Sequence, residues 1–161
     1  MIKEIEKKDI PECVQVIRNS FITVADEFGF TVENAPRFTA FAINADRLHY
    51  QLETEHRVMI AYCLDSGKII GYYSLLWQEN HQCELNNLCV LPEYRHEGVG
   101  AALLRDVFDR AKKERCKKIN IGIVEENQVL RKWYEKQGFL PIGTKKFDFF
   151  PFTCGYMEKG L

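Results

Sequence analysis

The segment Glu84–Ala101 constrains the fold of this chain more than any other. An apolar run, Leu85–Leu91, stops at Pro92. A charged stretch follows, and Gly98 and Gly100 then open a pattern with helical spacing. The order indicates a strand, a turn and a helix N-terminus, where the first N–H groups lack partners and carry partial positive charge. Because glycines keep Cβ atoms away from such donors, we predict a phosphate or pyrophosphate site here.

The chain after residue 56 predicts a sheet with one crossover. Arg57–Leu64 and Lys68–Trp77 form an antiparallel hairpin, and Gln82–Leu91 is the next strand. Lys118–Val124 is a buried strand, and the helix between two apolar strands implies that they run parallel. The aromatic tail reads as two strands around Pro151, with the last strand at an edge of the sheet.

The first third of the chain predicts a short strand, Ile2–Ile5, and two helices. Asp9 is the expected N-cap of the first helix, and Asn44 that of the second, which runs to about Glu55. Between and within these helices lie aromatic and basic residues that, taken singly, are most simply surface or packing residues. Together they form our candidate for the wall that sets acceptor specificity: Phe30, Arg37, Phe38, Phe41, Arg47, His49 and Tyr50.

Composition narrows the function further. The 161 residues suit a single domain, and 22 basic against 23 acidic side chains give a net charge of −1. We therefore expect no general attraction to nucleic acid or to an anionic membrane, so any anion site must be local. The N-terminal ten residues lack the apolar core of a signal peptide, and no apolar run is long enough to span a membrane, so we expect a soluble protein. Six cysteines without a C-x-x-C spacing indicate reduced thiols rather than disulfides or a metal site, as in a soluble cytoplasmic protein.

Two segments resemble a known family. Arg95-x-x-Gly98-x-Gly100, approached through Leu88–Tyr94, resembles the pyrophosphate signature of the GNAT superfamily of acetyl-CoA-dependent N-acetyltransferases. Asn127, followed by Tyr134 and a terminal Gly138-Phe139, is similar to that family's second recurring segment. The resemblance covers residues 57–159 well and implies an acetyl-CoA-binding core there, with residues 1–56 as a variable acceptor-side part of the same domain.

The resemblance implies a mixed, mostly antiparallel sheet whose two central parallel strands, 82–91 and 118–124, splay apart at their C-terminal ends, with helices on both faces. Acetyl-CoA is then held in the gap, where its pantetheine arm replaces a missing strand. In this arrangement the backbone at Cys89 and Val90 contacts the arm and the thioester, and Asn127 reaches the arm from the other side. The pyrophosphate is held by N–H groups from His96, Glu97, Gly98, Val99, Gly100 and Ala101, and Arg95 is a possible further contact.

Transfer of an acetyl group to an amine requires a base for the amine and an acid for the leaving thiolate. By resemblance, Glu84 is the candidate base; Glu125, Glu126, His81 or a water molecule are alternatives. Tyr134 is the candidate acid, and the Val90 N–H is the candidate oxyanion donor. A covalent acetyl-cysteine at Cys89 is disfavoured, because no histidine is placed to activate it.

Three questions stay open from the sequence. The acceptor is expected to be a small-molecule or peptide amine of unknown identity, and a homodimer is possible. A noncatalytic acyl-CoA sensor would carry the same motifs. A dinucleotide-binding oxidoreductase is a weaker alternative, because Leu103 replaces the third glycine of its fingerprint and residues 92–97 separate strand from glycine.

Overall fold

A computed structural model describes all residues, 1–161, and its centre is one seven-stranded sheet in the order β1-β2-β3-β4-β5-β7-β6. Every neighbouring pair is antiparallel except β4 and β5. The strands are β1 (Ile2–Glu4), β2 (Arg57–Cys63), β3 (Ile69–Gln78), β4 (Gln82–Val90), β5 (Lys118–Val124), β6 (Leu140–Lys146) and β7 (Thr153–Gly160). The α-helices are α1 (Ile10–Phe28), α2 (Thr39–Ala42), α3 (Ala45–Thr54), α4 (Val99–Lys113) and α5 (Gln128–Lys136), with 3₁₀ turns at Lys7–Asp9 and Pro92–Tyr94.

The predicted sheet with one parallel crossover is confirmed, and the oxidoreductase alternative is wrong because that fold needs several consecutive parallel strands. The prediction that the last strand lies at an edge is also wrong. β7 pairs with β5 on one side and β6 on the other, so β6 is the edge. Burial explains the order: every residue of β6 is exposed and it contains Pro141, whereas Gly155 and Met157 of β7 are buried.

Local signals set the helix ends. Asn44 and Asn127 cap α3 and α5 as predicted, since their side chains accept from the N–H groups of Arg47 and Leu130. Asp9 occupies the N-cap position of α1, but its carboxylate accepts from the Glu6 N–H and stabilises the preceding 3₁₀ turn instead. The short helix α2 was not anticipated.

The sheet is covered by helices on both faces, as predicted. The Tyr73 hydroxyl donates to Asp106 of α4 at 2.6 Å. The neighbouring pair of β3 and β4, Tyr72 and Cys89, faces the other way, towards α1, where Cys89 lies close to Ser20. A core of 33 buried residues surrounds this part of the sheet. None of the helices combines the length and apolarity needed to cross a membrane.

Candidate active site

The parallel strands β4 and β5 separate after three residue pairs. Their pairing runs from Gln82 with Lys118 to Glu84 with Asn120 and ends there. β5 continues along β7 to its end, and β4 continues along β3, so the two strands diverge. The predicted splay is therefore confirmed.

A bulge in β4 accompanies the divergence. The register of β3 against β4 shifts between Tyr72 and Ser74, so β4 contains one extra residue there that has no pairing partner in β3. At this point Asn87 has a φ of 55°, a left-handed conformation that asparagine tolerates better than most residues. Bulges bend a strand and increase its twist, which turns the end of β4 away from β5.

Beyond the bulge, the backbone N–H and C=O groups of successive β4 residues point alternately to β3 and to the gap. The Leu91 N–H donates to the Ile70 carbonyl of β3. Because bonded and non-bonded pairs alternate in an antiparallel ladder, the polar backbone groups of Cys89 also point to β3, and those of Val90 point into the gap. The predicted contact of pantetheine with the Cys89 backbone is therefore not favoured by this geometry.

The loop after β4 presents a row of free donors. None of the N–H groups from His96 to Ala101 donates a hydrogen bond within the chain, and no side chain caps α4. His96 and Gly98 both adopt a positive φ, 64° and 85°, which curls the loop before the helix begins. Positive helix-end charge and six unpaired donors together favour an anion at this place.

Arg95 is engaged elsewhere in the structure. Its guanidinium donates to the Ser20 carbonyl at 2.8 Å and to the Thr23 hydroxyl at 3.1 Å, both on α1. Its Nε donates to the Val90 carbonyl at 3.1 Å. Arg95 thus ties the end of β4 to α1, which leaves the Val90 N–H as the free backbone group of that residue. A contact of Arg95 with pyrophosphate stays a prediction.

The gap itself is a mostly apolar cavity of about 250 Å³. β4 contributes Leu85, Asn87 and Leu88, and β5 contributes its last four residues, 121–124. Val90 lies beyond the cavity, towards α4, where its side chain approaches Gly100. The remaining wall comes from α1, the start of α2 with the two residues before it, α5 with its N-cap, and the C-terminal part: Phe21, Val24, Arg37, Phe38, Thr39, Asn127, Leu130, Tyr134, Phe150, Phe152, Cys154 and Tyr156.

Tyr134 is held as a neutral phenol at this cavity. The residue is 5% exposed, and its ring packs edge-on against Trp133 and Phe139. Burial, with a smaller contribution from nearby Cys89, raises the pKa of Tyr134 above its ordinary value of 10.0. Its hydroxyl makes no hydrogen bond with another group of the chain, so the proton is available to a group in the cavity.

Glu84 lies at the closed end of the gap. Its carboxylate accepts from Asn86 at 2.9 Å and from Gln78 at 3.2 Å. At the usual rise of a strand, Glu84 is about 13 Å from Leu88 and about 20 Å from Val90, measured along β4. The predicted base and the predicted oxyanion donor therefore do not face the same atom directly.

Tyr156, which the sequence did not single out, lies between these positions. Its ring lies over Gly122 of β5, and it lines the cavity. Burial raises the pKa of the Tyr156 phenol, and the negative charge of Glu84 is among the further causes. The negative charge of Glu84 therefore acts on a phenol that lines the gap, without a hydrogen bond between the two side chains.

The alternative bases are occupied or distant. Glu125 pairs with Arg131, and both oxygens of Glu126 accept from the Thr153 N–H, at 3.0 and 3.2 Å. His81 is exposed in the turn before β4, at the end where the parallel strands still pair. None of the three lines the cavity.

The structure also weakens the acetyl-cysteine alternative. Burial raises the pKa of the Cys89 thiol to about 12, so the reactive thiolate is scarce at neutral pH.

A second, polar cavity of about 570 Å³ adjoins the first. The two share Arg37, Thr39 and Asn87 as lining residues. Glu84 lines the second cavity, not the first. Its other residues come from the end of α2, α3, β2, β3 and β4: Ala42, Ile43, Arg47, Gln51, Arg57, Leu76 and Asn86.

An aromatic cluster centred on Phe152 forms part of the wall of the first cavity. Its ring lies 4.8 Å from Phe30, 5.8 Å from Phe38 and 4.5 Å from Phe150, between centroids. Of the predicted specificity wall, Arg37, Phe38 and Arg47 line a cavity, and Phe30 supports them from behind. Phe41, His49 and Tyr50 line neither cavity.

Known proteins share this architecture. A Thermoplasma acidophilum PaiA N-acetyltransferase, solved in complex with coenzyme A, superposes with a TM-score of 0.82 at 19% identity, over 100% of this chain and 98% of that one. The ribosomal-protein-S18-alanine N-acetyltransferase of Escherichia coli superposes with a TM-score of 0.78 at 16% identity, over 99% and 92% of the two chains. At such identities the likeness concerns the fold.

Sequence comparison extends this result. An uncharacterized N-acetyltransferase of Mycobacterium tuberculosis is 32% identical over 94 residues, which are 58% of this chain and 60% of the relative. The chain thus matches about three fifths of that relative's length. The sequence profile of the acetyltransferase (GNAT) family matches residues 24–139, from α1 to the end of the second motif. The chain belongs to the acetyltransferase (GNAT) family.

Proposed function

We propose that this protein transfers the acetyl group of acetyl-CoA to a primary amine by direct attack in a ternary complex. The observation that carries the proposal is the splayed β4–β5 pair, which ends beside six N–H groups without partners at residues 96–101. A gap of this kind suits a ligand that has an extended amide arm at one end and phosphates at the other. Acetyl-CoA has both.

The residues of the gap fit such a ligand. The row from His96 to Ala101 would bind the pyrophosphate, because its donors have no partner and lie at the positive end of the α4 dipole. The Val90 N–H would bind the arm as an added strand does. Asn127 uses its carbonyl oxygen to cap α5, which leaves its amide NH₂ to donate from the other side of the gap.

Acetyl-CoA supplies an acetyl group on a thioester, whose thiolate must leave with a proton. Tyr134 would donate that proton, since its raised pKa keeps the phenol protonated at neutral pH and its hydroxyl has no competing partner. A backbone N–H of β4 near Leu88 and Val90 would stabilise the negative charge that develops on the carbonyl oxygen.

Glu84 would accept the proton of the amine, but through intermediates. About 13 Å of strand separate it from Leu88, so at least one water molecule or Tyr156 must connect the two. The polar cavity, which contains Glu84 and opens into the gap, is where we place the incoming amine.

The same distance favours a second candidate, a sensor that binds acyl-CoA without turning it over. A protein that lacks a base near the thioester can retain the entire coenzyme site. The distinction is experimental, because binding and turnover are separate measurements.

The test is calorimetric titration with coenzyme A, followed by a thiol-release assay with acetyl-CoA and a panel of primary amines. We expect micromolar binding and turnover of at least one amine, with Glu84→Gln reducing kcat about 100-fold and leaving coenzyme binding unchanged. Glu79→Gln is the matched control, because Glu79 is exposed in the turn before β4 and lines neither cavity. Binding without turnover of any amine would favour the sensor, and no binding would refute both.

A further inference from the structure

We propose that the amine acceptor carries an anionic group, a carboxylate or a phosphate, and that Arg37 and Arg47 bind it. The inference rests on the proposed acetyl transfer and names the chemical class of its acceptor. The smallest molecules of this class are amino acids and aminoalkyl phosphates.

The two arginines are cations without an acidic partner. Neither Arg37 nor Arg47 takes part in any ion pair of the chain. Arg37 stacks on the Phe149 ring with its guanidinium carbon 4.3 Å from the centroid, a contact that orients the group and leaves its N–H donors free. Both side chains line the polar cavity. A planar guanidinium matches the two oxygens of a carboxylate or phosphate, so two of them in one cavity form an oxyanion site.

An unpartnered amide in the same cavity is the second, independent observation. Gln51 is 6% exposed, and its side chain forms no hydrogen bond with any group of the chain. Its buried Oε1 in particular has no donor. Buried amides in folded proteins are rarely left unpaired, so Gln51 points to a polar ligand at this wall.

The other charged side chains that line the polar cavity leave its net charge positive. Arg57 also lines it, but Glu55 neutralises that guanidinium at 2.7 Å, and Ser74 and Asn86 take its other donors. Glu84 is the one carboxylate among the lining residues. Two unpaired cations against one anion would repel a polycationic amine and attract an anionic one.

The arrangement of the cavities orients such an acceptor. Arg37 lines both, whereas Arg47 and Gln51 line only the polar cavity, away from the gap. With its anionic group on the arginines, a small acceptor directs its amine towards Asn87 and the gap. A volume of about 570 Å³ accommodates a ligand of this size.

The first test compares acceptors that differ only in charge. The common amino acids, their carboxamides, 2-aminoethyl phosphate and spermidine are assayed with wild-type protein and acetyl-CoA. We expect the best amino acid to exceed its carboxamide at least tenfold in kcat/KM, and spermidine to be poorer still. Removal of the carboxylate lowers the pKa of the neighbouring amine, so chemistry alone would favour the amide. Preference for 2-aminoethyl phosphate over every amino acid would identify phosphate as the anion.

The second test removes the arginines. Arg37→Gln and Arg47→Gln should each raise the KM of the anionic acceptor about tenfold, with less than a twofold change in kcat and in the KM of acetyl-CoA. The KM of the matching carboxamide should stay within twofold. Arg115→Gln is the control, since Arg115 is exposed after α4, forms no ion pair and lines neither cavity.

The outcomes separate this inference from the function beneath it. If amines are acetylated but anionic ones have no advantage, or if the arginine variants affect acid and amide equally, the inference is overturned and the acetyl transfer stands. If coenzyme A does not bind and nothing is acetylated, the proposed function fails. Calorimetry with the amino acids alone then tests whether the two arginines bind an anion. Amino-acid binding to the wild-type protein that weakens tenfold in Arg37→Gln and Arg47→Gln supports the site. Absence of amino-acid binding to the wild-type protein overturns it.

Discussion

The two halves of the candidate active site are built in different ways. The coenzyme half is made mainly of backbone groups from one continuous segment, residues 88–101, in which the N–H groups of residues 96–101 are left free at the start of α4. The acceptor half is made of side chains from the segment before α2, from α2 and α3, and from the three strands β2, β3 and β4. A backbone site depends on local geometry and tolerates many side chains, whereas a side-chain site changes with every substitution. One fold can therefore keep its coenzyme while its acceptor varies.

The largest effect should come from Tyr134, which lines the gap in the coenzyme half. Tyr134→Phe removes a hydroxyl that bonds no group of the chain, so the free energy of unfolding should change by less than about 0.5 kcal/mol. Loss of a general acid should lower kcat by about 10²–10³-fold, with the Kd of coenzyme A within twofold. The measurements are steady-state kinetics, calorimetry and chemical denaturation.

The pH profile adds a second check on Tyr134. A general acid must be protonated, and the pKa of Tyr134 lies above 10.0, so the wild-type rate should show no alkaline loss due to this group below pH 10. Tyr62→Phe is the control, because Tyr62 on β2 lines neither cavity. Equal kcat values for Tyr134→Phe and wild type would remove Tyr134 from the mechanism.

This difference in construction explains what the sequence could predict. The strand bounds of β2–β5, the crossover, the caps at Asn44 and Asn127, and the anion loop all follow from contiguous residues. The Gly138 stop of α5 is of the same kind: the N–H groups of Gly138 and Phe139 bond the Glu135 and Tyr134 carbonyls, as a Schellman motif requires.

Features that depend on distant residues were missed. The β6–β7 order depends on which strand β5 can bury, and Glu158 rather than a β6 residue pairs with Asn120. The separation of Glu84 from Val90 could be estimated from strand rise alone, but the bulge at Asn87 that turns β4 has no hydrophobic signature. The one feature of the sequence that indicates this bulge is the Asn-Asn pair in an otherwise apolar strand.

A smaller effect should separate loop shape from side chains in the coenzyme half. Gly98 has a φ of 85°, so Gly98→Ala strains the loop and should weaken binding of coenzyme A about tenfold. At Gly100 a Cβ would point towards Val90 and Trp133, 3.8 and 3.9 Å away, an ordinary contact that faces protein. Gly100→Ala should therefore change the Kd less than about threefold.

The matched control for Gly98→Ala is Gly67→Ala. Gly67 has a φ of 92° in the β2–β3 turn, so alanine there produces the same kind of backbone strain far from the coenzyme half. Both variants should lose about 1 kcal/mol in unfolding free energy, but Gly67→Ala should retain full affinity in calorimetry. If Gly98→Ala also retained it, the conformation of the anion loop would not determine coenzyme binding.

The smallest effect concerns Asn87, which belongs to both halves: its backbone forms the bulge and its side chain lines both cavities. Asn87→Ala keeps a Cβ in the left-handed region but loses the polar side chain that lets asparagine tolerate it, so unfolding should become easier by about 1 kcal/mol. Asn87→Gly removes the same amide but accepts φ 55° freely, so its stability should stay within a few tenths of a kcal/mol of wild type. Denaturant titrations of both variants give this comparison.

The activity of the same two variants separates the side chain of Asn87 from its backbone. If both variants lose the same factor in kcat/KM for the acceptor, the amide contacts the acceptor. If only Asn87→Ala loses activity, the backbone conformation of the bulge is what matters. Equal stability of the two variants would mean that the left-handed conformation of residue 87 does not limit which side chain this position tolerates.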